Sequence, residues 1–320
     1  MVKFIIKRLL MLIPVLLGIS FILFSIMNLT PGDAATLLLG DSATPEAVEA
    51  LREQLGLNGG FFERYFNYIG NIILHGDFGL SYRTKNPVFD EIFIRFSYTV
   101  RLAFTAIAIS SIFGVLLGIV SAIKQYSKTD NVITAITLVL TSMPDFWLGL
   151  MLIILFSVKL GVLPISGATS WQHFILPGFT AAANYLANTI RMSRSSMLEV
   201  SRMDYIRTAR AKGVPERDVI FKHIFKNALM PIVTLVGVNM GWQLGGTIII
   251  EQVFGIPGIG SLMIQSIRLK DVPIVIGCVM FIATLSSIIN LATDILYAYI
   301  DPRLRAKFVT TKKKAVKSNG

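Results

Sequence analysis

Six stretches of this 320-residue chain are apolar over the roughly 20 residues needed to cross a bilayer. They lie near 9–29, 98–123, 132–158, 174–192, 230–250 and 274–298. A soluble domain of this size has too little interior for them. The chain is 53% apolar and only 15% charged, with a mean hydropathy of +0.66. The expected class is an all-α polytopic membrane protein with six transmembrane helices. The first stretch follows Lys3, Lys7 and Arg8, as a secretory signal would. It is too long for one, and no small-x-small cleavage site follows, so it reads as a retained helix. The fourth, "LPGFTAAANYLANTI", is short and rich in small residues, which suits a helix packed among other helices.

The formal net charge of +11 raises a nucleic-acid reading. The distribution of charge argues against it. Lys and Arg collect at the ends and loops of apolar segments, which is a topology signal. With the N-terminus in the cytoplasm, segments 1–8, 124–131, 191–229 and 301–320 hold 21 of the 30 basic residues. Nine acidic residues instead lie between Asp33 and Glu91. Both termini are therefore expected in the cytoplasm. The organisation that follows is an N-terminal transmembrane helix at 1–30, an extracytoplasmic segment at 31–94, a membrane core at 95–300 and a basic cytoplasmic tail at 301–320.

Within the outer segment, Thr44, Pro45 and Gly56 read as N-cap, first helical residue and stop. Between the last two spans, "EQVFGIPGIGSLMIQSIRLKDVP" combines a turn at Gly255, Pro257, Gly258 and Gly260 with an amphipathic stretch at 262–267. Cys278 is alone, so no disulfide or cysteine metal site follows, and a small core residue is expected. His75, His173 and His223 are scattered, with no ligand spacing among them, so no metal site is expected.

The longest cytoplasmic loop, 193–229, contains "DYIRTARAKG", Asp204 to Gly213. Gly213 can stop a helix there. Pro215 starts a second helix, with Glu216 and Asp218 placed where the helix dipole favours negative charge. Phe221, Ile224, Phe225, Ala228 and Leu229 form its expected apolar face, and His223 and Asn227 share a side. Two short helices with an exposed Ala/Gly elbow make a knob that another protein can approach closely. An ordinary solvated loop is the alternative.

This loop resembles the coupling loop of ABC importer permeases, with pattern E-A-A-x3-G-x9-I-x-L-P. Gly213 takes the glycine place and Ala209 the second alanine. Arg207 and Thr208 stand at the Glu and first Ala places; His223, Phe225 and Lys226 stand at Ile, Leu and Pro. With "H" ten residues after the glycine and "NALMP" ending at Pro231, the departures are similar to the dipeptide, oligopeptide, glutathione and nickel permeases. "HGDFGLSYRTKNPV", "SMPDFWLGLMLIILFSVKLGVLP", "RMSRSSMLEV", "EQVFGIPGIGSLM" and "LATDILYAYIDPR" resemble further landmarks of that family, in order. The chain is identified as a member, of the B-type subunit.

The resemblance implies a type I ABC importer permease fold in a bacterial or archaeal cytoplasmic (inner) membrane. It implies a second homologous permease, two ABC ATPase subunits carrying ATP and Mg, an extracytoplasmic solute-binding protein, and contact with membrane lipid. No nucleic acid, cofactor or catalytic residue of this chain's own is implied. No Walker A pattern occurs in it. Asp204, Tyr205, Arg207, Thr208, Ala209, Arg210, Ala211, Lys212 and Gly213 would dock on an ATPase, supported by His223, Asn227 and Pro231. The implied cargo is a di- or oligopeptide, with glutathione or a nickel chelate as alternatives.

Six residues are candidates for a translocation path, because a lipid-facing helix would not choose them: Asp145, Trp147, Asn184, Asn188, Asn239 and Gln243. Helix–helix hydrogen bonding is their alternative role. Asp294 is costly in a membrane unless paired or near the cytoplasmic edge, and a structural partner is expected for it, a base in the 193–229 loop being one candidate. An ion-coupled carrier would show inverted repeats, and none is visible. An intramembrane enzyme would need a Ser/His pair or a zinc motif, and neither occurs.

Overall fold

The computed structural model describes residues 2–40 and 42–300, and the described residues are overwhelmingly helical. The basic tail 301–320 lies outside them. α1 spans Val2–Leu29, and three shorter helices follow: α2 Ala34–Leu39, α3 Pro45–Gln54 and α4 Phe61–His75. Thr44 caps α3 by accepting from Ala47 N at 3.3 Å. Gly56, at φ +66°, ends it, with Leu57 N donating to Arg52 O and Gly56 N to Glu53 O.

α5, Val88–Ile123, is the longest helix at 36 residues. It begins ten residues before the apolar run near 98, because Pro87, Asp90 and Glu91 make a favourable first turn. α6, Lys128–Ser142, and α7, Asp145–Leu152 with its π-helical extension Ile153–Lys159, come next. The expected span 132–158 is not one straight helix: the two halves meet at 109°. Pro144 lacks an N–H and pushes Met143 into an extended conformation (φ −89°, ψ 130°), which ends α6.

α8, Ile175–Ser201, is packed along α5 and against α6 and α7. Its contact with α5 rests on small residues. A Cβ on Gly114 would lie 2.6 Å from Thr189 Cβ, and one on Gly118 would lie 2.8 Å from Ile190 O. Only glycines four apart let the two backbones approach so closely. The expectation that this segment packs among helices is met.

α9 spans Asp204–Ala211. α10, Glu216–Asp218, opens a helical run that continues through a π-helical turn, Val219–Phe225, into α11, Lys226–Gly246. The second helix of the loop is thus not short; it runs on into the membrane core. α12 (Ile248–Val253), α13 (Ile259–Arg268) and α14 (Val272–Ile300) complete the chain.

Among the described residues, four helical segments are long and apolar enough to cross a membrane: Ile5–Leu29, Val88–Ile123, Glu216–Gly241 and Val272–Ile295. The bent α6–α7 pair makes a fifth if counted as one span. α8 is long enough, but Asn184, Asn188, Arg191 and Arg194 lower its hydropathy.

α5 runs from end to end. Near its start, Val88 and Ile92 pack with Ile259, Leu262, Ile274 and Cys278. Near its finish, Ile119 and Ala122 pack with Met197, Ile206, Val219 and Ile224. α1 lies beside α4 and α14, with Phe24, Tyr65, Ile69, Ile276 and Met280 in their joint core. The partner of Asp294 is not in the 193–229 loop. Arg8 of α1 approaches it at 2.6 Å, because α1 and α14 pack as antiparallel neighbours.

Candidate functional site

The knob at 204–214 is built by local chemistry. Gly213 adopts φ +76°, a left-handed conformation that costs a side-chain-bearing residue. Gly213 N donates to Arg210 O at 3.0 Å and Val214 N to Ala209 O at 3.2 Å, so two terminal carbonyls of α9 are satisfied. Ile206 is the one fully buried side chain of α9, and it enters the core shared by α5, α8 and the π-helical turn. Asp204, Tyr205, Arg207, Thr208, Arg210, Ala211, Lys212 and Gly213 are exposed, and Ala209 is half-buried. The result is a mostly polar surface rooted by Ile206, with Ala209 and Val214 packed beside it.

Arg210 grips Glu216 across the elbow with two bonds, 3.1 Å from Nε and 2.7 Å from Nη2. Lys222 and Asp218 pair at 2.9 Å one turn later. Asn227 donates to the His223 carbonyl at 2.6 Å, so the two do share a side. Pro231 lies inside α11 and is exposed.

The apolar face of this helix differs from the expected one. Ile224 and Ala228 are buried, but Phe221 is 50% exposed and Val219 is fully buried. The π-helical turn carries more residues per turn than an α-helix. A face drawn with a 3.6-residue period loses its phase there.

Directly behind the knob lies an ion pair that the sequence did not single out. Asp130, in the first turn of α6, is 3% exposed. Arg194 of α8 donates to it from Nε and Nη2, both at 2.9 Å. Ser121 of α5 also donates to it, as does Tyr126 N at 2.9 Å. Three helices are pinned at one carboxylate.

The six path candidates divide. Asn184 Nδ2 donates to Asp145 Oδ1 at 2.9 Å, linking α8 to α7. Asn188, one turn along α8, accepts from Arg191 Nη2 at 2.5 Å. Asn184, Asn188 and Arg191 therefore form one polar row. Trp147 is exposed. Asn239 and Gln243 are buried on α11, and Gln243 donates to Ala181 O at 3.2 Å, tying α11 to α8.

Glu251 is a second residue that sequence reasoning passed over. It is fully buried and accepts from Thr99 Oγ1 at 2.8 Å, Thr247 Oγ1 at 3.1 Å and Ser261 N at 3.0 Å. Gly258 and Gly260 face it so closely that added Cβ atoms would collide with its carboxylate or with Ile248. The glycine-rich turn is a receptor for this one side chain. Among the described residues, no group of three or more His, Cys, Asp or Glu is placed to hold a metal ion.

A helical bundle crossed by apolar helices, with a rooted polar knob, matches known proteins. The family described as "Binding-protein-dependent transport system inner membrane component" matches residues 114–306. The N-terminal part described for such membrane components matches residues 1–103. The chain belongs to this family. It is 42% identical over 307 residues to the glutathione transport system permease protein GsiC of Escherichia coli (strain K12), covering 96% of this chain and 100% of that one. The same figures hold for GsiC of Shigella dysenteriae serotype 1.

Among solved structures, a chain of the inward-facing MetNI methionine ABC transporter aligns with a TM-score of 0.54. Identity is 16%, over 66% of this chain and 96% of that one. A chain of an amino acid ABC transporter crystallised with histidines aligns at a TM-score of 0.50 and 19% identity, over 67% of this chain and 94% of that one. At such identities the likeness is one of fold. The chain is an ABC importer permease subunit and not an enzyme; ATP hydrolysis belongs to separate subunits.

Proposed function

We propose that this permease carries small peptides inward across a bacterial or archaeal cytoplasmic membrane, on six spans with both termini in the cytoplasm. The spans are α1, α5, the bent α6–α7 pair, α8, α10–α11 and α14. The bias of Lys and Arg toward alternate loops supports this orientation. The α9 knob then faces the cytoplasm.

The observation that carries the mechanism is the knob itself: an exposed polar helix rooted by Ile206 in the core of α5 and α8. Two ATPase subunits closing on ATP take α9 and its glycine elbow in a groove. Their motion pulls Ile206, and through it the α5–α8 pair, so nucleotide binding biases a two-state equilibrium between inward- and outward-facing forms. A second permease completes the path, and an external binding protein delivers the cargo. The polar row of Asn184 and Asn188, with Asp145 and Trp147 beside it, faces that path.

Di- and oligopeptides are the cargo class. Glutathione, itself a tripeptide, is the reading within it that the 42% identity to GsiC proteins supports. The test is uptake by proteoliposomes holding the full transporter and its binding protein, with labelled dipeptide and labelled glutathione in parallel. ATP-dependent accumulation of either, lost in Gly213→Pro, is expected. Accumulation that ignores ATP overturns the mechanism.

A further inference from the structure

The end of the bundle opposite α9 holds a cavity that transport, as read above, leaves without a role. Its volume is about 930 Å³, and it opens between the last turn of α1, the end of α3, one side of α4, the 79–85 loop and the first turn of α14. Arg64, Asn67 and Asn71 stand at i, i+3 and i+7 on α4 and so line one wall together. Arg52, Lys85 and Lys270 supply the other walls.

The charge there is unbalanced. Behind the wall Asp271 is bonded to Ser81, and among the described lining residues the only carboxylate is Asp33, against four cations. It is shared with Arg52 at 3.2 Å. Arg64 donates to a neutral partner, Asn28 Oδ1, at 2.6 Å, and its Nε is buried without a hydrogen-bond partner among the described residues. Lys270 donates to the carbonyls of Thr30 and Gly32, again neutral groups. Burial lowers its pKa, although Asp33 opposes the shift. Lys85 is held at φ +61° and is exposed. A concave site with excess fixed positive charge concentrates anions. Guanidinium and ammonium donors beside side-chain amides suit a carboxylate attached to a peptide group.

We propose that this cavity binds a small carboxylate-bearing solute of peptide type, with Arg64, Lys85 and Lys270 facing its carboxylate and Asn67 and Asn71 its amide groups. The site is distinct from the polar row on α7 and α8. It does not require that the bound solute be the transported one. A lipid phosphate offers similar anionic oxygens, but the paired asparagines favour a ligand with amides to match.

The experiment is equilibrium binding of labelled glutathione to the full transporter in phosphatidylcholine nanodiscs, without ATP or binding protein. Saturable binding is expected, weakened at least tenfold by Arg64→Gln and by Asn71→Asp. The second variant adds negative charge at an exposed position without touching the Arg64–Asn28 bond. No saturable binding, or binding that both variants leave unchanged, overturns the proposal. In discs containing phosphatidylglycerol, native mass spectrometry reads the other occupant. A bound phosphatidylglycerol displaced by the same variants, with no glutathione bound in its absence, makes the cavity a lipid site and also overturns it. Binding is read apart from uptake, so a failure of the transport mechanism leaves this result standing.

Discussion

Arg194 closes a two-pronged bond on Asp130, with both contacts at 2.9 Å, and so joins α8 to α6 immediately behind the α9 knob. Arg194→Ala leaves the buried Asp130 carboxylate without its counter-charge. Loss of one partner of a fully buried pair costs about 3–5 kcal/mol, and partial exposure of Arg194 reduces this to about 2 kcal/mol. The expected result is a lower unfolding midpoint in detergent, with a smaller loss in the Asp130→Ala/Arg194→Ala double variant than the singles sum to. Strictly additive losses would show that the pair contributes nothing as a pair.

Gly213 holds the elbow at φ +76° with open space where a Cβ would go. Gly213→Ala is therefore a backbone-strain variant without a clash, costing about 1 kcal/mol. It should leave folding intact and reduce the transport-coupled ATPase activity of the assembled transporter several-fold. Gly213→Pro should abolish it. Full activity in both would separate the elbow from coupling.

Glu251→Leu removes the acceptor of Ser261 N–H, which can only donate. An unmatched buried donor costs about 1–3 kcal/mol. Thermal unfolding of the purified subunit should move down accordingly. Unchanged stability would mean that the receptor turn tolerates a neutral side chain.

Gly118→Val forces α5 and α8 apart, since even a methyl group meets Ile190 O at 2.8 Å. Overpacking of this kind costs about 1–3 kcal/mol in soluble cores. The expected outcome is low yield of folded protein, partly restored by Ser193→Gly opposite. A normal yield from the single variant would refute close α5–α8 packing.

The outer segment should loosen in acid. Burial tends to raise the Asp33 pKa, but the Thr36 N–H and Arg52 outweigh it, and the net shift is downward. A carboxylate held below its ordinary value stabilises the fold above the unfolded pKa, and that contribution is lost as pH falls through the folded one. Hydrogen exchange across 31–60 should therefore speed up below about pH 4, and Asp33→Asn should show the faster exchange already at neutral pH. Exchange identical in both proteins at neutral pH would remove Asp33 from the account.

Features written in neighbouring residues were legible in the sequence. Thr44, Pro45, Gly56 and Gly213 act within a few positions, and each does in the fold what its residue type favours. The small residues of α8 also announced a packed helix. Features that depend on distant partners were hidden. Asp130 meets Arg194 across 64 positions, and Glu251 meets Thr99 across 152. Nothing in either local stretch names the other. The 109° bend escaped because hydropathy sums through Pro144 without feeling its missing N–H. Phe221 was misplaced because a face drawn at helical period assumes no π-helical turn.

α5 makes one unbroken rod of 36 residues, about 54 Å at 1.5 Å per residue. One end is packed against the root of the knob and the other against α13 and α14. A rod of that length is a gear without intermediate joints: a tilt of about 5° at its middle sweeps each tip through roughly 2–3 Å in opposite senses. Under the coupling proposed above, an inward pull on Ile206 would arrive at the far rim as an outward swing, with no relay of side chains in between.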